Sequence, residues 1–148
     1  MVSPVSLAGK QILTAEDNDI NREILTEILT EYGAVVTPAV NGQEAVELFS
    51  QSSVAFFDVI LMDIQMPVLD GYGAAKAIRA MKRRDSAIIP ILALTANAFK
   101  QEADRAKESG MDDVITKPLE VEVLLQKLSA LGVGQPKKEN ATRKEDDI

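Results

Sequence analysis

Glu16, Asp17, Asp63, Thr95 and Lys117 are the residues of this chain whose types and positions suit chemistry together. Each follows an apolar run. KQILTA precedes the acidic pair, Val59 to Met62 precede Asp63, IIPILAL precedes Thr95, and Val114-Ile115-Thr116 precedes Lys117. Ionised groups are costly to bury, so a charged residue at the exit of an apolar segment calls for a reason. Taken singly, each has an ordinary reading: Asp63 as a loop carboxylate or helix cap, Thr95 and Lys117 as strand-end residues. Brought together, three carboxylates repel one another, so one takes up a proton or a cation intervenes. Only oxygen ligands are on offer, which selects a hard cation, and Mg²⁺ fits. The formal charges of the three carboxylates, one divalent cation and Lys117 cancel. That balance suits an arriving phosphoryl group, whose charge the metal and Lys117 would share. The roles follow. Asp63 is the nucleophile, forming an aspartyl phosphate. Asp17 binds Mg²⁺ directly, Glu16 binds it directly or through water, and the backbone carbonyl of Gln65 supplies a further ligand. Thr95 donates its hydroxyl to a phosphoryl oxygen, and Ala96 leaves the approach open.

The elements that must position these residues are legible in the spacing. Lys10–Ala15 reads as a first strand and about Ile20–Tyr32 as a helix, with Ile20, Ile24, Leu25, Ile28, Leu29 and Tyr32 on one face. Gly33 stops it. Ala34–Thr37 is a second strand, and Pro38 at its end suits a sheet edge. Asn41 and Glu44 have capping-box spacing before a helix that buries Ala45, Leu48 and Phe49. Val59–Met62 is apolar without a break, as in a strand covered on both faces. Pro67 and Gly71 force a loop. A third helix, about Gly73–Arg83, presents Ala74, Ala77, Ile78 and Met81. Lys82-Arg83-Arg84 at its end reads as favourable placement against the helix dipole. Ile88–Leu94 is a fourth strand, about Ala98–Glu108 a fourth helix, Val114–Thr116 a fifth strand and about Val121–Leu131 a fifth helix.

Strict strand–helix alternation predicts an α/β fold: a doubly wound parallel sheet with right-handed crossovers. A flavodoxin-like (βα)5 order, 2-1-3-4-5, sets strand one beside strand three at the switch point, where ligands bind outside the carboxyl ends of strands. Glu16 and Asp17 then face Asp63. Residues 10–131 are expected to form the domain, with 1–9 a leader or linker and 132–148 a polar tail or linker.

Composition narrows the classes further. The chain has 148 residues, 46% hydrophobic and 26% charged, enough for one globular core. It has no histidine and no cysteine, so thiolate chemistry and the commonest general base are absent. The net charge of −7 argues against a nucleic-acid-binding surface. No apolar run is long enough to cross a membrane, and no signal peptide is evident.

The motifs ILTAEDNDINREIL, DVILMDIQMPVLDG, ILALTA and ITKP resemble those of response-regulator receiver domains. The resemblance covers about Lys10–Leu131, and its wording is most similar to receivers of hybrid sensor histidine kinases. It implies phosphoryl transfer from a histidine kinase or histidine phosphotransfer protein onto Asp63, with Mg²⁺ held by Glu16, Asp17 and Asp63. It also implies Thr95 as the switch hydroxyl, a cis Lys117–Pro118 bond and donor docking along helix one. Asn18, Asn21 and Arg22 would be its exposed flank, with Ile24 and Ile28 in the core. A cytoplasmic monomer, with no membrane or nucleic-acid contact, is expected. One departure stands out: the family usually has Tyr or Phe where this chain has Val114. Other classes compete less well. A free-standing single-domain regulator is the nearest alternative. A phosphatase with an aspartate nucleophile resembles Asp-x-Asp, and Gln65 stands where its acid would be. A nucleotide-binding module would want a glycine-rich loop, and Glu16-Asp17-Asn18 is its electrostatic opposite.

Overall fold

The computed structural model describes residues 6–96 and 99–133. Five strands alternate with five α-helices: β1 Gln11–Ala15, α1 Asp19–Glu31, β2 Val35–Ala39, α2 Gly42–Gln51, β3 Val59–Asp63, α3 Gly71–Arg79, β4 Ile91–Thr95, α4 Lys100–Glu108, β5 Asp113–Thr116 and α5 Val121–Ala130. All strand pairs are parallel, and the order is β2-β1-β3-β4-β5. This is the doubly wound, flavodoxin-like arrangement expected from the alternation.

Successive strand residues point to opposite faces, so the sheet divides the core in two. Leu13, Ile60, Met62 and Ala93 pack with Phe49 and Ile78 from α2 and α3. Ile12, Leu61 and Leu92 pack with Leu25, Leu29, Leu125 and Leu128 from α1 and α5. Burial of each such leucine or isoleucine contributes about 1.5–3 kcal/mol. β3 is buried along its whole length, as its unbroken apolar run requires. Register sets Ala15 opposite Met62, and Asp63 opposite Leu94. The carboxyl ends of β1, β3 and β4 are therefore level.

Local sequence accounts for the helix starts. Asn18, Asn41 and Asp70 accept from the backbone N–H three residues on and cap α1, α2 and α3. In α2, Glu44 closes the box on the N–H of Val40 at 2.7 Å. Pro38 lies inside β2, opposite Thr14, which an edge strand tolerates.

The structure corrects several expectations. Within α1, Leu25 and Leu29 are buried, but Ile20 is 68% and Ile24 47% exposed. Ile24 lines an open cleft against Pro118 and Leu119 rather than core. Helical periodicity marks a face, not how far the core extends beneath it. α3 starts at Gly71, where Asp70 caps it, and ends at Arg79. β4 starts at Ile91, after a 3-10 turn at Arg84–Ala87, and Ile88 is exposed. Arg83 does not serve the dipole of α3. It donates to the carbonyls of Phe49 and Ser50 at the carboxyl end of α2, and to that of Ser53.

The packed unit also extends beyond 10–131. Leu7 is fully buried in the α1/α5 layer. Its N–H donates to Tyr32, and Gly9 donates to Gly33. After α5, Val133 is buried in the same layer and donates to Leu128. The rest of the leader and tail, and Ala98 of the expected fourth helix, lie outside the described residues.

Candidate functional site

The four strand exits converge as expected. Glu16 and Asp63 are only 2% and 4% exposed, whereas Asp17 is exposed. The amine of Lys117 sits between the two buried carboxylates, 2.9 Å from Glu16 Oε1 and 3.0 Å from Asp63 Oδ2. The other oxygen of Glu16 accepts the N–H of Asn18, and the other oxygen of Asp63 accepts the N–H of Gln65 at 3.3 Å. Thr95 is buried beside them. Its carbonyl accepts the Lys117 N–H at 2.7 Å, which fixes the start of the lysine loop against β4. Lys117–Pro118 is cis.

The electrostatics follow from burial. Desolvation is the main cause that pushes the Asp63 carboxyl up to about 6, and the charge of Glu16 adds to it. The Lys117 hydrogen bond and charge, and the Gln65 N–H, pull the other way. Lys117 loses solvation too, but its two carboxylate partners outweigh that and raise its pKa.

Glu16, Asp17 and Asp63 each place a carboxylate oxygen within 4.8 Å of the others. One amine already bridges two of them, and a negative excess remains. An all-oxygen set with that excess fits a hard divalent cation such as Mg²⁺. Gln65 is exposed on the loop after β3.

Sequence reasoning missed one supporting residue. Arg22 donates to the backbone carbonyl of Glu16 at 2.9 Å and pairs with Asp19. It braces the acidic loop from the first turns of α1, a role beside the exposed flank expected of it. Asp19 and Arg22 are three apart on one helix face, which was the available signal. Two clefts flank the site. One, of about 520 Å³, is lined by Gln65, Met66, Tyr72, Thr95 and Arg105, and Arg105 stacks 4.2 Å from the Tyr72 ring centroid. The other, of about 440 Å³, runs along α1 past Asn21 and Ile24 to Lys117 and Pro118.

Residues 12–129 match the family model of the response regulator receiver domain. The chain belongs to this family. Curated relatives of the receiver include the hybrid signal transduction histidine kinase I of Dictyostelium discoideum, 37% identical over 127 residues, which are 84% of this chain and 7% of that protein. Another is the sensor protein GacS of Pseudomonas syringae pv. syringae, 39% identical over 124 residues, 83% of this chain and 13% of that protein. The receiver thus spans a small part of these relatives. Among solved structures, the receiver domain of a sensor histidine kinase from Pseudomonas aeruginosa has a TM-score of 0.75 and 36% identity, covering 84% of this chain and 99% of that one. That structure has a magnesium ion coordinated in its active-site cleft. A co-crystal structure of the Saccharomyces cerevisiae histidine phosphotransfer protein Ypd1 with the receiver domain of its response regulator Ssk1 matches at a TM-score of 0.75 and 35% identity, covering 85% of this chain and 90% of that one. Among the described residues, no helix is long and apolar enough to cross a membrane.

Proposed function

We propose that this receiver takes a phosphoryl group from a phosphohistidine donor onto Asp63, as one station of a phosphorelay. The observation that carries the reading is the Lys117 amine held between Glu16 and Asp63, with Asp17 alongside. In the transfer, the P–N bond of the phosphoimidazole breaks and its electron pair stays with the imidazole. A P–O bond forms to a carboxylate oxygen of Asp63. With its pKa near 6, Asp63 is largely ionised at neutral pH and is available as nucleophile. Lys117 compensates the arriving charge, and the Thr95 hydroxyl donates to a phosphoryl oxygen. Glu16, Asp17, Asp63 and the carbonyl of Gln65 would hold Mg²⁺, which when bound neutralises phosphoryl oxygens. Gln65 carries no acid, so hydrolysis of the acyl phosphate is slow.

The donor is a histidine kinase or histidine phosphotransfer protein that docks along α1, over the cleft lined by Asn21 and Ile24. The chain acts within a hybrid sensor histidine kinase, at the cytoplasmic side. The alternative within the same family is a free-standing single-domain regulator.

The test is intact mass after incubation with acetyl phosphate and Mg²⁺. One phosphoryl adduct is expected, lost in Asp63→Asn and in the presence of a chelator. Labelling that persists in Asp63→Asn would overturn the assignment. Undiminished labelling with chelator would remove the metal.

A further inference from the structure

One dipeptide of this chain is chemically labile, and the fold requires it. Asn41-Gly42 is the only Asn-Gly pair among the 148 residues. An asparagine side chain ahead of glycine is open to attack, because no Cβ on the following residue shields the approach. Yet glycine is the one residue that fits here. A Cβ on Gly42 would lie 2.2 Å from the carbonyl oxygen of Leu69 and 3.1 Å from that of Asp70. At this point the backbone of the loop after β3 is pressed onto the start of α2.

The reaction is a loss of ammonia followed by uptake of water. The Gly42 nitrogen gives up its proton and attacks the side-chain carbonyl carbon of Asn41. A C–N bond forms, the bond to the side-chain nitrogen breaks, and ammonia leaves. Water then opens the succinimide ring to aspartate or isoaspartate. No oxidant, metal or cofactor takes part, and nothing in this chemistry depends on phosphoryl transfer.

Two contacts oppose it in the native state. Asn41 Oδ1 accepts the N–H of Glu44 at 2.8 Å, which turns the side chain to the helix end. The Gly42 N–H donates to the Leu69 carbonyl at 3.0 Å, so the nucleophile is occupied. The second contact is the weaker guard, because it comes from a loop. Val68 sits there at φ of 72°, a conformation that a β-branched residue seldom holds, and it is 80% exposed. Leu69 ties the stretch to the core. Local openings draw on such lightly packed segments while the rest of a molecule stays folded. We propose that Asn41 is a latent deamidation site guarded by the Leu69 carbonyl, so that its conversion reports opening of the loop after β3. Aspartate at this position still caps α2, whereas isoaspartate lengthens the backbone at the cap and removes the seat of Leu69.

For the test, the full chain is aged at mildly alkaline pH, and peptide mapping by mass spectrometry resolves asparagine, aspartate and isoaspartate at position 41. Conversion in the folded wild type is expected to be at least about tenfold slower than in the chain held unfolded in guanidinium. Leu69→Ala, which loosens the guard, should speed conversion about three- to tenfold, and the milder Leu69→Val about two- to threefold. Ile12→Val, a core change in the α1/α5 layer, lowers global stability without touching the loop and should leave the rate within about twofold. Circular dichroism selects the variants that are folded, and Leu69→Val carries the test if alanine unfolds the chain. Conversion in the folded wild type as fast as in the unfolded chain would overturn the proposal, since no guard would then act. So would an unchanged rate in the folded Leu69 variant. Equal acceleration by Ile12→Val would overturn it too, by tying the reaction to global unfolding.

Discussion

A single amine serves two buried carboxylates in this receiver, and each of the three depends on the other two. Two predictions belong at this scale. Folding raises the proton affinity of Asp63, so the native state binds more protons than the unfolded chain between the ordinary carboxylate value and about 6. The contribution of Asp63 therefore makes the metal-free protein less stable as pH rises from about 4 to about 6, and the cost persists above that. Asp63→Asn removes the cost and is expected to gain about 1–2 kcal/mol at pH 7.5. Urea unfolding of both proteins at pH 4.5 and 7.5 checks this, and a variant no more stable than wild type at pH 7.5 refutes it. Lys117→Ala leaves Glu16 and Asp63 buried without their cation. It should lose about 1–3 kcal/mol, discounted for the partial exposure of the lysine, and acetyl phosphate labelling should fall at least tenfold. Labelling at the wild-type rate would show that Lys117 is only structural.

Between elements, Arg83 binds α2, the loop after it and the 3-10 turn into one unit. Its guanidinium sits 4.4 Å over the Phe49 ring and bonds both oxygens of Asp85. Asp85 also accepts the N–H of Ala55, where φ is 67°. The Arg83 hydrogen bond holds the Asp85 carboxyl below its ordinary value. That stability is present above the ordinary carboxylate range and is lost as pH falls through the lower, native value. Arg83→Ala is expected to cost about 1–3 kcal/mol by chemical denaturation and to flatten the acid limb of the stability profile below about pH 4. An unaltered acid limb would count against the clamp. At β5, Val114 is half-buried against the α2/α3/α4 layer. Its short, stiff side chain offers little difference in energy between rotamers. Beryllofluoride should therefore shift amide resonances near Asp63 and Thr95 but few along α4 and β5, and widespread shifts there would refute weak coupling. What was legible from sequence tracks what is local. The acidic pair, Asp63, Thr95 and Lys117 each end an apolar run, and the cap at Asn41 follows from its three-residue spacing to Glu44, whereas the cap at Asp70 went unread. Arg83 reaches back more than 30 residues to Phe49, and no local pattern encodes that. The exposure of Ile24 and the burial of Leu7 likewise depend on neighbours that periodicity does not see.

For the whole molecule, the level strand ends concentrate negative charge at one pole, so a divalent cation is expected to stabilise the fold. At tenfold excess over its dissociation constant, Mg²⁺ should add about 1.4 kcal/mol. Thermal melts with and without Mg²⁺ check this, and Asp63→Asn should respond less than wild type. An unchanged Tm at saturating Mg²⁺ would argue against a metal site. Light scattering should find a monomer with and without beryllofluoride. The separation of the site residues along the chain has one more consequence, which concerns synthesis. Lys117 and Glu16 are 101 residues apart, and the lysine arrives only after β5 has joined β4. A nascent chain that has reached α4 already carries the acidic pair and the acceptor, but they repel without their shared cation. The acidic pair and the acceptor of this receiver thus gain their shared amine only once β5 is in place.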